Sequence, residues 1–144
     1  MLVFTHKPIG FKAKFEVVSC FVEFAGKILL LLRQDSKPQP NTWGVPAGKK
    51  IENEGRLHAV IREIAEETGF QPLFGGPRFH ATFYVRYPEH DFVYHIFHFD
   101  LPKQIDVRIN PEEHKEFKWI EPREALALDL IPGLDQCIRI FYRF

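Results

Sequence analysis

From Asn53 or Glu54 to Thr68 the chain carries one sharply amphipathic stretch, in which Leu57, Val60, Ile61 and Ile64 recur at spacings of three and four. Gly69 follows as a C-terminal stop. The segments on both sides have the period of strands. "KFEVVSCFVEFAGKILLLLR" alternates around β-branched and aromatic residues and breaks at Ala25-Gly26-Lys27, which predicts a β-hairpin. "RFHATFYVRYP" and "DFVYHIFHFDL" predict two more strands around Glu89-His90-Asp91, and "FKWIEP" another short one. A helix with one apolar stripe among strands has to bury that stripe on a sheet. "PREALAL" and "IPGLDQCIRIFYRF", with Pro132 near its start, then predict further helices that would cover the other face. The expected fold class is α/β, a mixed β-sheet packed between helices, and "QDSKPQPNTWGVPAG" is expected to be a loop.

The 144 residues, 45% of them hydrophobic, suit a single domain over 1–144 with a proper core. Lysine plus arginine and aspartate plus glutamate number 19 each, so no overall field favours a long nucleic acid or an anionic membrane. No segment approaches the roughly 20 apolar residues of a membrane span, and the N-terminus lacks the pattern of a signal peptide. Cys20 and Cys137 lie in apolar runs and read as reduced core residues of a cytoplasmic protein. Most of the 15 phenylalanines read as core, with one or two left to line a pocket for a planar ligand.

The central helix poses a problem of charge. Glu63, Glu66 and Glu67, at i, i+3 and i+4, share one side of it and adjoin the apolar stripe. Like charges so spaced cost about 0.2–0.5 kcal/mol per pair. A solvated charged face would interleave lysines, whereas from Arg62 to Phe70 the only cation is Arg62, spaced to pair with Glu66. Hard oxygen donors converging at the edge of a core suit Mg²⁺ or Mn²⁺, which would relieve the repulsion.

These residues resemble the Nudix box, GX5EX7REUXEEXGU with U a bulky apolar residue. The match covers all nine defined positions: Gly48, Glu54, Arg62, Glu63, Ile64, Glu66, Glu67, Gly69 and Phe70. "WGVPAGK" resembles the family's run into the box. The resemblance is to the MutT-like Nudix hydrolases and implies a Nudix-type α/β/α sandwich. It implies metal-dependent hydrolysis of a diphosphate bond that links a nucleoside to another group. It maps Glu63, Glu66 and Glu67 onto metal ligands, with the backbone carbonyl of Ala47, where glycine is common, as a further one. The general base varies among relatives, and Glu63 is the assignment made here. Arg62 is expected to orient Glu66, and Glu54 to brace the loop. Glu113, six residues before Trp119, resembles another metal ligand of the family, with a surface charge as its equal alternative. Arg33 resembles a phosphate-contacting arginine, with a structural salt bridge as its alternative.

His95 and His98 fall on opposite faces of one strand and read as packed or hydrogen-bonded residues. Trp43 and Trp119 read as core or site-edge packing. The expected activity is cleavage of a nucleoside triphosphate to monophosphate and pyrophosphate. Hydrolysis of an NDP-sugar, ADP-ribose or a dinucleoside polyphosphate is the alternative within the class, and a catalytically silent nucleotide-binding module the alternative outside it. The partner expected is a small nucleotide, and a homodimer is an expectation by analogy with relatives.

Overall fold

The computed structural model describes residues 2–73 and 76–144. The strands are β1 (Leu2–Phe4), β2 (Ala13–Phe24), β3 (Lys27–Arg33), β4 (Trp43–Gly44), β5 (Ala47–Lys49), β6 (Arg78–Arg86), β7 (Asp91–Asp100) and β8 (His114–Ile120). The helices are α1 (Arg56–Thr68), α2 (Pro122–Ala125) and α3 (Leu134–Tyr142). The sheet runs β1-β6-β7-β2-β3-β4, with β8 on β3 and β5 on β2. It is mixed because β2 and β7 pair in parallel while the other pairs are antiparallel.

Alternation along the central strands sorts their side chains into two cores. Val18, Cys20, Val22, Leu29 and Leu31 pack with Val60 and Ile64 of α1. Phe21, Ile28 and Leu30 pack with Leu134, Cys137 and Ile138 of α3. The sheet is therefore the middle layer of an α/β/α sandwich. Val60, Ile64 and Ile138 are fully buried, each contributing about 1.5–3 kcal/mol by leaving water.

The hairpin turns where the sequence breaks. Ala25 and Gly26 both have positive φ, 51° and 79°, as a two-residue turn that follows the strand twist requires. Helix α1 starts at Arg56, later than its periodicity suggests. Asn53 has φ 67°, and Glu54 N–H bonds Ile51 O, so a turn closes just ahead of the helix. Gly69, at φ 75°, ends α1 with its N–H on Ala65 O. The segment expected to be a loop contains β4 and β5, pairings of two and three residues that lie below the reach of periodicity. Helix α2 is shorter than "PREALAL", and α3 starts at Leu134, because Gly133, at φ 90°, holds Pro132 outside the helix.

One edge of β2 is shared. Its start carries β5, through Val17, Val18 and Ser19, and its end carries β3, through Glu23 and Phe24. The chain leaves β3 at Arg33, pairs back on it through Trp43 and Gly44, and joins β2 at Ala47, and the site is built around that excursion.

Candidate active site

Strand β5 and helix α1 carry the two ends of the glutamate-rich segment and face each other. Glu63 and Glu67, one turn apart, are 8% and 7% exposed, whereas the Glu66 side chain is 57% exposed and stands at the rim. The three thus share a helix side but not an environment. Glu67 Oε1 accepts the Ala47 backbone N–H at 2.9 Å. Lys50 N–H to Glu16 O and Cys20 N–H to Pro46 O set the phase of the β2–β5 ladder. That phase turns the N–H and C=O of Ala47 away from β2, so its carbonyl lies on the same edge as Glu67.

The Glu63 carboxylate lies against Gly48. A Cβ on Gly48 would sit 2.1 Å from Glu63 Cδ, so only glycine admits the carboxylate there. Arg62 braces the other side. Its Nε and Nη2 donate to the two oxygens of Glu54 at 2.9 and 3.0 Å, a bidentate pair, and its Nη1 donates to Glu63 Oε1 at 2.8 Å. The contacts from Nη1 to Glu66, both 3.4 Å, are longer, so Arg62 holds Glu54 and Glu63 more closely than the Glu66 pairing expected of it. Nη2 also donates to Lys49 O, and Glu54 Oε1 accepts the Ile51 N–H, tying loop, strand and helix together.

Burial pushes the Glu67 carboxyl well above the usual carboxylate range, against the Ala47 N–H, and the charges of Glu63 and Glu113 push the same way. Glu63 is raised as well, chiefly by burial and further by Glu66 and Glu113, while Arg62 opposes the shift. Glu113 is half-exposed, bonds Lys37 at 3.4 Å and belongs electrostatically to the same cluster. Arg33 acts on Glu67 in the opposite sense, and its Nε donates to Pro38 O at 2.6 Å. The bonds from Arg62, and the turn at Ile51, hold Glu54 below the normal range.

Beside the cluster opens a cleft of about 440 Å³, whose lining includes Arg33, Ala47, Gly48 and Glu67 together with the aromatic residues Phe15, Tyr87, His90, Phe92 and Tyr94. Phe15 stacks on Phe92, centroids 5.4 Å apart, and Lys49 Nζ stands 4.3 Å from the Phe15 ring centre. None of these aromatic residues stood out in the sequence. Phe15 and Phe92 meet only because β2 and β7 pair in parallel. His114, opposite Arg33 across β3 and β8, also lines the cleft and is buried with its Nδ1 unpartnered. The two strand histidines lie elsewhere: His95 bonds Glu16 and Thr82, and His98 bonds Glu23. Trp43 is core on the α3 side, and Trp119 packs against the core on the α1 side.

Sandwich, carboxylate cluster and adjoining cleft define an α/β protein with a candidate metal and ligand site. A family model described as NUDIX domain matches residues 14–141, and the chain belongs to that family as a Nudix hydrolase. Over 120 residues it is 30% identical to the CTP pyrophosphohydrolase of Escherichia coli (strain K12), covering 82% of this chain and 84% of that protein. Its fold is similar to the solution structure of the E. coli ORF135 protein, with TM-score 0.75, 28% identity and 94% of each chain covered. It is also similar to a MutT protein from Methanosarcina mazei Go1, with TM-score 0.79, 24% identity and 92% and 95% of the two chains covered. No helix among the described residues is long and apolar enough to cross a membrane.

Proposed function

We propose that the protein is a Mg²⁺-dependent pyrophosphohydrolase that cleaves a nucleoside triphosphate to the monophosphate and pyrophosphate. The observation that carries this reading is the buried pair Glu63 and Glu67 beside a cleft lined in part by aromatic residues. The donor set fits a hard dication. It is all oxygen, and two of its carboxylates are buried with raised pKa values, Glu63 despite its bond from Arg62. Glu63, Glu66, Glu67, Glu113 and the Ala47 carbonyl would hold Mg²⁺, with Mn²⁺ as a substitute. Bound there, the ion supplies Lewis acidity, drawing charge off the phosphate oxygens.

The chain's own residues do the rest. Arg33, at the mouth of the cleft, contacts a phosphate and fixes the polyphosphate across the cluster. Phe15 and its aromatic neighbours hold the base, which their apolar ring surface favours. Glu63, oriented by Arg62 and Gly48, takes a proton from the attacking water, whose oxygen bonds to phosphorus as the bridging P–O bond breaks. Glu54 and Arg62 position Glu63 and do not touch the substrate. The relative named CTP pyrophosphohydrolase supports a nucleoside triphosphate as substrate. The buried free cysteines suit the cytoplasm, where nucleotides are found.

The test is a panel of nucleoside triphosphates, NDP-sugars, ADP-ribose and dinucleoside polyphosphates with Mg²⁺ or Mn²⁺, and product identification by anion exchange. Monophosphate and pyrophosphate from a triphosphate should be the fastest products. A faster NDP-sugar, ADP-ribose or dinucleoside polyphosphate would replace the substrate assignment. Nucleotide binding without turnover at any metal concentration would make the protein a binding module.

A further inference from the structure

At the far end of β2 and β7 a second group of ligating side chains converges on the α3 side of the sheet. Glu23 and Asp100 are direct partners in the parallel β2–β7 register, and His98 lies two residues before Asp100 on the same face. Glu23, His98 and Asp100 bring one ligand atom each within 4.8 Å of one another. Glu23 lies six positions along β2 from Val17 at the cleft, about 20 Å along the strand. The two sites are separate.

Two carboxylates directly opposite each other on neighbouring strands repel, and proton-bearing groups only partly offset this pair. His98 Nε2 lies 3.1 Å from Glu23 Oε1, and the Tyr142 hydroxyl donates to the same oxygen at 2.6 Å. Both contacts fall on Oε1, and among the described residues no side-chain hydrogen bond to Asp100 accompanies them. Tyr142, at the end of α3, thus fixes the Glu23 carboxylate, as hydrogen-bond partners of a metal ligand do. The position of Tyr142 is set in turn by Phe141, stacked on His98 with centroids 5.1 Å apart.

We propose that Glu23, His98 and Asp100 bind a borderline transition-metal dication of the Zn²⁺ class, independently of the Nudix cluster. The imidazole nitrogen sets this site apart from the all-oxygen cluster. Mg²⁺ prefers oxygen donors, whereas Zn²⁺ accepts one nitrogen and two carboxylate oxygens and completes a tetrahedron with water. His98 would bind the ion through Nε2 in place of its contact with Glu23 Oε1. The ion would join β2 and β7 beneath the end of α3.

The test is calorimetry and metal analysis of the full-length protein titrated with Zn²⁺ alone, in excess Mg²⁺ to occupy the oxygen cluster. One Zn²⁺ per chain should bind in the wild type and in Glu67→Gln. Asp100→Asn, at an exposed position, and His98→Gln should each lower the affinity at least ~10-fold. Mg²⁺-dependent hydrolysis by Asp100→Asn should be unchanged, and if His98→Gln fails to fold, Asp100→Asn decides alone. Wild-type affinity in Asp100→Asn, or loss of the Zn²⁺ in Glu67→Gln, would overturn the proposal, as would no Zn²⁺ uptake in excess Mg²⁺.

Discussion

The carboxylate of Glu63 occupies the space that any side chain on Gly48 would need, with Cδ 2.1 Å from the position of a Cβ. The clashing group is the tip of a flexible side chain, so Gly48→Ala should fold and displace the carboxylate. Melting temperature should fall by only a few degrees, about 1 kcal/mol or less, while kcat drops at least ~100-fold. A variant of wild-type activity would show that Glu63 works from another position.

Arg62 joins Glu54 and Glu63 through a planar, forked head. Lysine keeps the charge but cannot reproduce the fork. Arg62→Lys should therefore cost about 1–3 kcal/mol in urea unfolding and lower kcat more than it raises KM, because it loosens Glu63 rather than a substrate contact. A change confined to KM would place Arg62 against the substrate instead.

Burial of Glu67 gives stability a pH dependence of definite sign. Its folded pKa lies above the ordinary 4.5, so its contribution is fully present below about pH 4.5 and is lost as pH rises through the folded value. In EDTA at pH 8, Glu67→Gln should melt higher than the wild type, since glutamine still accepts the Ala47 N–H and carries no charge. Adding Mg²⁺ should raise the melting temperature of the wild type and move the variant much less. Turnover by Glu67→Gln should fall at least ~100-fold; equal melting temperatures in EDTA would remove the electrostatic argument.

Phe15, stacked on Phe92 and with Lys49 Nζ over its ring, is part of the cleft wall proposed to meet the base. Stacking is worth about 1–3 kcal/mol per base, so Phe15→Ala should raise KM for the preferred nucleotide about 5- to 150-fold. The hydrolysis of inorganic tripolyphosphate, which has no base, should not change. Equal losses on both substrates would assign Phe15 to folding.

The glutamate-rich segment was legible because a helix converts spacing into direction: Leu57 to Ile64 point one way, and Glu63 and Glu67 fall beside them. The same rule could not separate Glu66 from Glu63 and Glu67, since exposure depends on β5, which approaches only one of those edges. The turn at Ile51 to Glu54 was hidden for a related reason, because the positive φ of Asn53 is fixed by contacts made after folding. Strands β4 and β5 are shorter than one alternation pattern. The aromatic wall was the least legible part, since Phe15 meets Phe92 across a parallel pairing that no local signal announces. His114 is similar, being one more histidine until β8 sets it opposite Arg33.

The segment 34–46, between Arg33 and Ala47, pairs with β3 through Trp43 and Gly44 and is clamped at each end. Arg33 and Asn41 bond across its neck, and Cys20 N–H holds Pro46 O where β5 begins. Pro38 and Gln39, near its tip, line the cleft. Residues can thus be inserted or exchanged at that tip, reshaping the wall a nucleotide meets, while Gly48, Glu63 and Glu67 keep their spacing. On the function proposed above, the carboxylate cluster and the loop tip that shapes the cleft lie on separate stretches of chain, so that one can vary without the other.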